Sequence, residues 1–413
     1  MTKWWKKLGP GLITGASDDD PSGIATYSLA GAQAGYHLLW MSLYTVPLMV
    51  AIQEMCARIG LVAGEGLAGT IRRHYGRALL LPVAILLIGA NTLNIGADLR
   101  GMSSSAALVL PVPEWCLSAI FAATIVLLMI YFPYWKIARV LKWLTLSLLT
   151  YIAAAFVMHQ DWAQIVVSTL VPHFHDLKAD APIAVAVLGT TISPYLFFWM
   201  ASEEVEERNA QTMRHGSYEV SNKTLKHMRD DVRWGMGFSN LIMFFIIATS
   251  ASAFFGKGLS EFSSVAEVAM ALKPLAGNAA FLLFALGVVG TGFLAIPVLA
   301  GSSAYVLAES FGVGVGLSKR MRDAKAFYWV IILSGLGGFL ISLTGYGAVY
   351  LLYATAIVYG AISPFLIAVV LHIANNRKIM GSHVNGLVAN LLGAVTLTVM
   401  TAAVGLLLTT LFA

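Results

Sequence analysis

The sequence has little charge and almost no cysteine. Only 11% of its 413 residues are Asp, Glu, Lys or Arg, whereas 58% are hydrophobic. A soluble domain averages roughly a quarter charged residues, so a soluble fold of this composition would expose large apolar surfaces. The two cysteines, Cys56 and Cys116, lie in apolar runs, which argues against a disulfide framework. These shortages indicate an integral membrane protein.

Enzyme signatures are also missing from the sequence. It contains no His-x-x-x-His metal pair, no phosphate-binding loop and no nucleophile elbow. We therefore predict a protein that is not an enzyme and binds no nucleic acid. Its expected partners are the lipid bilayer and a small inorganic ion.

Hydrophobic runs of about 20 residues, long enough to cross a bilayer, recur along the chain. With the N-terminus placed inside, the outer connections hold only Lys178, Lys257 and Lys273, and most other basic residues fall inside. This bias predicts an inner (plasma) membrane protein with a cytoplasmic N-terminus and an outer C-terminus. The polar stretch 202–233 is predicted to be a cytoplasmic loop. The eleven predicted spans are 10–31, 37–59, 79–108, 115–133, 142–158, 184–201, 234–255, 279–308, 327–345, 350–373 and 386–411.

Two of these spans are interrupted by polar residues and a proline. The first contains Asp18-Asp19-Asp20-Pro21-Ser22-Gly23, and the sixth contains "GTTISPY" at 189–195. Proline removes an amide donor, and serine and glycine are weak helix formers. A break at membrane depth must line a protein cavity, and acids there usually mark an ion pathway. Paired breaks at matching positions predict an inverted-repeat transporter with its site near the midplane.

Several stretches resemble the Nramp family of proton-coupled divalent-metal transporters. They are the Gly9-Pro10-Gly11 that precedes Asp20-Pro21, "LAGAQAGYHLLW" (29–40) and "QEMCARIGLVAGEGLA" (53–68). The resemblance implies a secondary-active ion transporter that forms one all-α membrane domain over 1–413 with the leucine-transporter fold. The implied inverted five-helix repeats cover about 10–158 and 184–373, and an extra helix covers about 386–411.

The chain departs from the resembled family at the metal ligands. The family's Asp-Pro-Gly-Asn is Asp20-Pro21-Ser22-Gly23 here, and its Met-Pro-His is Ser193-Pro194-Tyr195. Thioether and imidazole ligands favour transition metals, so their loss argues against manganese or iron as the cargo. The family's third-helix Asp is kept as Asp98, while its nearby Glu falls at Gly101.

Two kinds of cargo fit these departures, and a small oxyanion is favoured. The altered motifs resemble those of a distant clade of Nramp-related bicarbonate transporters, and this resemblance makes bicarbonate the candidate. The N-termini of the two resumed half-helices offer free amides and positive dipole ends, and glycine at the break lets an anion approach the backbone. The residues predicted to bind the anion are Asp20, Ser22, Gly23, Thr190, Thr191, Ser193 and Tyr195.

In this first alternative a sodium ion or a proton accompanies the anion. The residues predicted for the co-ion or proton pathway are Asp18, Asp19, Asp20, Asp98 and Arg100. A bound sodium ion is the only cofactor that this alternative calls for.

The second alternative is a hard divalent cation, magnesium before manganese. Asp20 and Asp19 would then be its metal ligands, together with carbonyl oxygens freed at the breaks. Coupling to protons also fits this alternative.

Overall fold

The computed structural model describes residues 9–132, 136, 149–158, 160–174, 176–215, 220–257, 265–270, 277 and 280–412, and this part of the chain contains helices and no β-strand. The helices are α1 (Pro10–Asp18), α2 (Pro21–Ala34), α3 (Leu39–Ala63), α4 (Leu67–His74), α5 (Arg77–Ala107), α6 (Glu114–Tyr131), α7 (Leu149–Val157), α8 (Trp162–Leu170), α9 (Leu177–Thr191), α10 (Pro194–His215), α11 (Asn222–Phe254), α12 (Val265–Ala269), α13 (Ala280–Phe311), α14 (Lys325–Ser342), α15 (Ala348–Asn375), α16 (Arg377–Met380) and α17 (Leu387–Phe412).

Nine segments among the described residues are long and apolar enough to cross a membrane. One of them, Pro21–Ala63, joins α2 to α3 through a 3₁₀ turn at Gly35–Leu38, so it covers part of the first predicted span and all of the second. Eight others coincide with predicted spans, and the remaining predicted span, 142–158, lies partly outside the described residues. An all-α membrane fold is therefore confirmed, while the number eleven stays a prediction.

The prediction of a loop at 202–233 is wrong for most of that segment. Helix α10 continues to His215, and α11 begins at Asn222. The Glu, Gln, Lys and Arg residues of this stretch are good helix formers, so both spans extend as charged helices beyond their apolar parts.

The packing of the broken helices has the pattern expected of two inverted repeats. In such repeats the first span corresponds to the sixth, and the second corresponds to the seventh. Helices α1 and α2 pack along α11, and α10 packs along α3. Each contact joins a helix of one repeat to a helix of the other, and exchanging the two repeats converts one contact into the other. Helix α9 also packs on α2 and α15, which brings the two interrupted helices together.

Glycine allows the backbones of α1 and α11 to touch. A Cβ atom on Gly15 would overlap the carbonyl group of Gly235, whereas a Cβ on Gly237 of α11 would meet no atom within 4 Å. We expect Gly15→Ala to lower the thermal unfolding midpoint by several degrees because it overpacks this contact. Gly237→Ala is the matched control and should leave the midpoint unchanged or raise it. Equal midpoints for the two variants, measured in detergent, would contradict the close contact.

Candidate functional site

The first break is held open by an aspartate cap. Helix α1 ends at Asp18 and α2 begins at Pro21, so Asp19 and Asp20 are not helical. Asp20 Oδ1 accepts hydrogen bonds from the backbone amide of Gly23 at 2.7 Å and from the hydroxyl of Ser22 at 2.5 Å. Aspartate is among the best N-cap residues. The predicted interruption of the first span is confirmed, and Asp20 is part of its cause.

The second break lies between α9 and α10, at Ile192 and Ser193. The Ser193 hydroxyl lies 2.5 Å from the carbonyl oxygen of Thr190 and 3.0 Å from that of Gly189. The hydroxyl of Ser363, from α15, donates to the Ile192 carbonyl at 3.0 Å. These hydroxyls satisfy carbonyl groups that the end of α9 leaves without helical partners. The predicted interruption of the sixth span is therefore confirmed as well.

The two breaks adjoin one another inside the protein. The Tyr195 hydroxyl donates to the carbonyl of Ser17 at 3.3 Å, and the hydroxyls of Tyr27 and Thr191 are 3.5 Å apart. A Cβ atom on Gly23 would lie 3.2 Å from the Asp18 carbonyl oxygen and 3.3 Å from a Thr190 side-chain carbon. The breaks thus form one buried polar region between α2, α9 and α10.

One side of this region faces α5, where an amide separates two carboxylates. The Asn94 Nδ2 atom lies 3.0 Å from Asp20 Oδ2 and 3.5 Å from Asp98 Oδ2. The Asn94 Oδ1 atom accepts a 2.8 Å hydrogen bond from the Thr355 hydroxyl of α15. Carboxylates accept hydrogen bonds and do not donate them when ionised, so the amide nitrogen must face the acids. Asp98 Oδ1 has no hydrogen-bond partner among the described residues.

The opposite side of the polar region faces α11, where one serine hydroxyl lies within hydrogen-bond distance of two carboxylates. The Ser239 hydroxyl lies 3.0 Å from Asp18 Oδ2 and 3.2 Å from Asp19 Oδ1. Within the described part of the chain, the other oxygens of this acid pair, Asp18 Oδ1 and Asp19 Oδ2, have no hydrogen-bond partner. Asp18, Asp19, Asp20 and Asp98 are all at most 2% exposed, which seals the region from solvent.

The hydroxyl groups predicted to bind an anion are already hydrogen-bonded within the protein. Thr190 donates to the carbonyl of Ala186 at 2.9 Å, and Thr191 donates to that of Val187 at 2.7 Å. The hydroxyls of Ser22, Ser193 and Tyr195 and the amide of Gly23 have the acceptors named above. Among the described residues, the buried side-chain atoms within 17–23 and 189–195 that have no hydrogen-bond partner are carboxylate oxygens of Asp18 and Asp19. The unpartnered side-chain atoms at the breaks are therefore acceptors, which suit a cation.

Arg100 does not lie with these acids, although it is only two residues from Asp98. Its guanidinium is 3.4 Å from a carboxylate oxygen of Glu114 and donates to the Ser342 carbonyl at 3.3 Å. Residues two apart on a helix point in different directions, so Asp98 faces inward while Arg100 turns toward α6 and α14. No ion pair joins Asp18, Asp19, Asp20 or Asp98 to a basic side chain in the described ranges.

Three polar residues at this site were not singled out from the sequence: Asn94, Ser239 and Thr355. Asn94 lies four residues before Asp98 on an apolar helix, a spacing that places both on one face. Thr355, Tyr359 and Ser363 form a similar stripe on α15. Spacing by four within apolar spans is the signal that could have found Asn94 and Thr355.

Comparisons with known proteins agree with this architecture. A family model described as natural resistance-associated macrophage protein-like (Nramp) matches residues 11–410. A protein of Chromohalobacter salexigens named divalent metal cation transporter MntH is 25% identical over 410 residues, which are 97% of this chain and 90% of that protein. A protein of the same name from Granulibacter bethesdensis is 23% identical over 395 residues, 93% of this chain and 84% of the relative. The crystal structure of a point mutant of the Eremococcus coleocola manganese transporter superposes with a TM-score of 0.74 at 17% identity, covering 97% of this chain and 86% of the other.

Proposed function

Because this chain belongs to the Nramp family of membrane transporters, we propose that it carries a hard divalent cation through the region between its two breaks. The protein is a transporter and not an enzyme. The observation that carries the proposal is that the hydroxyl donors at the breaks are hydrogen-bonded within the protein, while some carboxylate acceptors are not. The hydroxyls are used by the protein itself, whereas three buried carboxylate oxygens have no partner among the described residues.

The charge of the region supports the same proposal. Four buried aspartates surround the breaks, and no basic side chain of the described chain forms an ion pair with them. Buried charge is tolerated when it is paired or holds a metal ion. A bicarbonate ion would add negative charge to a site that is already rich in it. A divalent cation is therefore the better cargo for this site than the oxyanion that the sequence favoured.

Ligand chemistry favours magnesium over manganese within this class. Asp20 and Asp98 would supply carboxylate oxygen atoms to the cation, and hard cations prefer oxygen ligands. At Ser193, where the resembled family has a thioether, the hydroxyl contacts backbone carbonyls. The relatives named above are called divalent metal cation transporters, which supports a divalent cargo.

We assign the coupling ion to the other side of the region. Asp18 and Asp19, with the Ser239 hydroxyl between them, would hold a sodium ion or a proton. We further propose a plasma-membrane location with the N-terminus in the cytoplasm, because the Lys and Arg residues are concentrated on that side.

Flux into proteoliposomes tests the proposed cargo. Purified protein would be given Mg²⁺, Mn²⁺ or labelled bicarbonate, each with and without a sodium or proton gradient, and empty liposomes would set the background. We expect saturable Mg²⁺ uptake that exceeds Mn²⁺ uptake, with bicarbonate at the background rate. Bicarbonate uptake without divalent-cation uptake would contradict the proposal and restore the anion as cargo.

A thioether at position 193 should move selectivity toward a softer metal. Ser193→Met places a sulfur ligand beside the second break, and we expect the ratio of Mn²⁺ to Mg²⁺ uptake to rise by about tenfold. Ser193→Leu has a similar size without sulfur and is the matched control. The same ratio in both variants would show that position 193 does not face the cation.

A further inference from the structure

A groove separate from the two breaks lies between α3, α11 and the beginning of α17. Its volume is about 510 Å³. Its lining includes Arg58 from α3 and both Arg229 and Arg233 from α11. We call these three residues and their surroundings the arginine groove. It lies on the side of the membrane that the distribution of basic residues predicts to be cytoplasmic.

The arginine groove has more positive charge than its own acid neutralises. Arg233 forms a 2.8 Å ion pair with Glu54, the one acid among the described residues that line the groove. Arg58 and Arg229 line the same groove, so their like charges repel. Three cations and one anion leave a net charge of 3 − 1 = +2. The groove is therefore suited to an anionic group.

Arg58 provides an independent sign of a missing partner. Its side chain is only 9% exposed, and its guanidinium donates to the amide oxygen of Asn385. Its Nε atom, however, is buried without a hydrogen-bond partner among the described residues. A buried guanidinium nitrogen without an acceptor is costly, and phosphate oxygens are acceptors that guanidinium groups bind well.

The rest of the groove is apolar and continues along α3 toward the membrane interior. Pro47, Val50 and Leu392 line it, and Leu387 at its edge is 86% exposed. Positions 47 and 58 are eleven residues apart, which at about 1.5 Å per residue is roughly 16 Å along a helix. Half the thickness of a bilayer's hydrocarbon core is about 15 Å. The groove thus has the length of one acyl chain.

We propose that the arginine groove binds an anionic phospholipid of the leaflet predicted to be cytoplasmic. The phosphate contacts Arg58, Arg229 and Arg233, and an acyl chain lies along α3 and α17. Basic pockets between membrane helices on this side are suited to such headgroups. A soluble phosphate would leave the apolar wall uncovered, so a lipid is the occupant that satisfies both ends of the groove.

Lipid-dependent thermal stability tests the proposal. Purified full-length protein in detergent would be mixed with phosphatidylglycerol, phosphatidylcholine or glycerol 3-phosphate. We expect phosphatidylglycerol to raise the unfolding midpoint by several degrees and the other two to have little effect. Equal stabilisation by the two lipids, or by glycerol 3-phosphate, would overturn the proposal.

Matched variants separate the arginine groove from general surface charge. Arg229→Gln with Arg233→Gln removes two charges from the groove, and Arg229→Gln alone leaves the Glu54 pair intact. Arg320→Gln with Arg322→Gln removes two exposed charges on the same predicted side, outside the groove lining. We expect the groove variants to lose the response to phosphatidylglycerol and the control to keep it. A full response in the groove variants, or its loss in all variants, would overturn the proposal.

Discussion

Asp20→Asn is expected to lower the initial rate of divalent-cation uptake by about a hundredfold or more. Removal of a charged ligand from a buried site costs a few kcal/mol, and each 1.4 kcal/mol is a factor of ten. Asparagine is also a good N-cap residue, so the first break should persist. The substitution therefore removes the charge of Asp20 while keeping its role in ending the helix.

Asp20→Ala is the companion variant because it removes the cap as well as the charge. Loss of an N-cap costs about 1 kcal/mol, so this variant should unfold at a slightly lower temperature than Asp20→Asn. Uptake should be equally low in both. Wild-type uptake by a well-folded Asp20→Asn protein would contradict the assignment of Asp20 as a cation ligand.

Asp98→Asn and Arg100→Gln should have very different effects, although the two positions are neighbours on α5. Asp98 is fully buried beside Asn94, and one of its oxygens has no hydrogen-bond partner among the described residues. Arg100 is partly exposed and pairs with Glu114. We expect Asp98→Asn to lower uptake by at least about thirtyfold. Arg100→Gln should stay within about threefold of wild type, because partly exposed ion pairs contribute little.

The pair of variants would be compared by initial uptake rates over a range of Mg²⁺ concentrations, at equal protein per liposome. A rise in the half-saturating concentration for Asp98→Asn would indicate a ligand, whereas a fall in maximal rate alone would indicate a step after binding. Equal loss of transport in both variants would return Arg100 to the ion pathway.

The positions of the breaks could be predicted because their causes are local. Asp20, Pro21 and Gly23 lie within four residues of the chain. The hydrogen bonds that cap α2 join Asp20 to residues two and three positions later. Proline after Ser193 has the same local effect in the second interrupted helix. The membrane spans are local as well, since length and hydropathy define them.

The partners of the acids could not be predicted because they are distant in sequence. Asn94 is 74 positions from Asp20, and Ser239 is 221 positions from Asp18. The hydrogen-bond acceptors of the serine and threonine hydroxyls could not be predicted from the sequence either. Threonine and serine in a helix can donate either to a ligand or to the carbonyl four residues earlier, and composition does not distinguish these outcomes. The prediction of an anion required hydroxyls that donate to a ligand. The hydroxyls of Thr190 and Thr191 instead donate to the carbonyl groups four residues earlier.

The connection predicted at 202–233 is longer than the one in the structure, where α10 ends at His215 and α11 begins at Asn222. A run of mixed charge is typical both of a solvated loop and of a helix that leaves the membrane. Helices α10 and α11 extend into this run because its residues have high helix propensity. The mixed charge of this run therefore did not distinguish a loop from helices that extend beyond their apolar parts.

Equilibrium binding of Mg²⁺ to the purified protein is the most direct test of the central claim, that the joined breaks form an acceptor-lined cation site. Calorimetry should give one Mg²⁺ per chain for the wild-type protein, no measurable binding for Asp20→Asn and Asp98→Asn, and no heat from bicarbonate. Saturable bicarbonate binding in the absence of divalent cations, or Mg²⁺ binding unchanged by both substitutions, would contradict it.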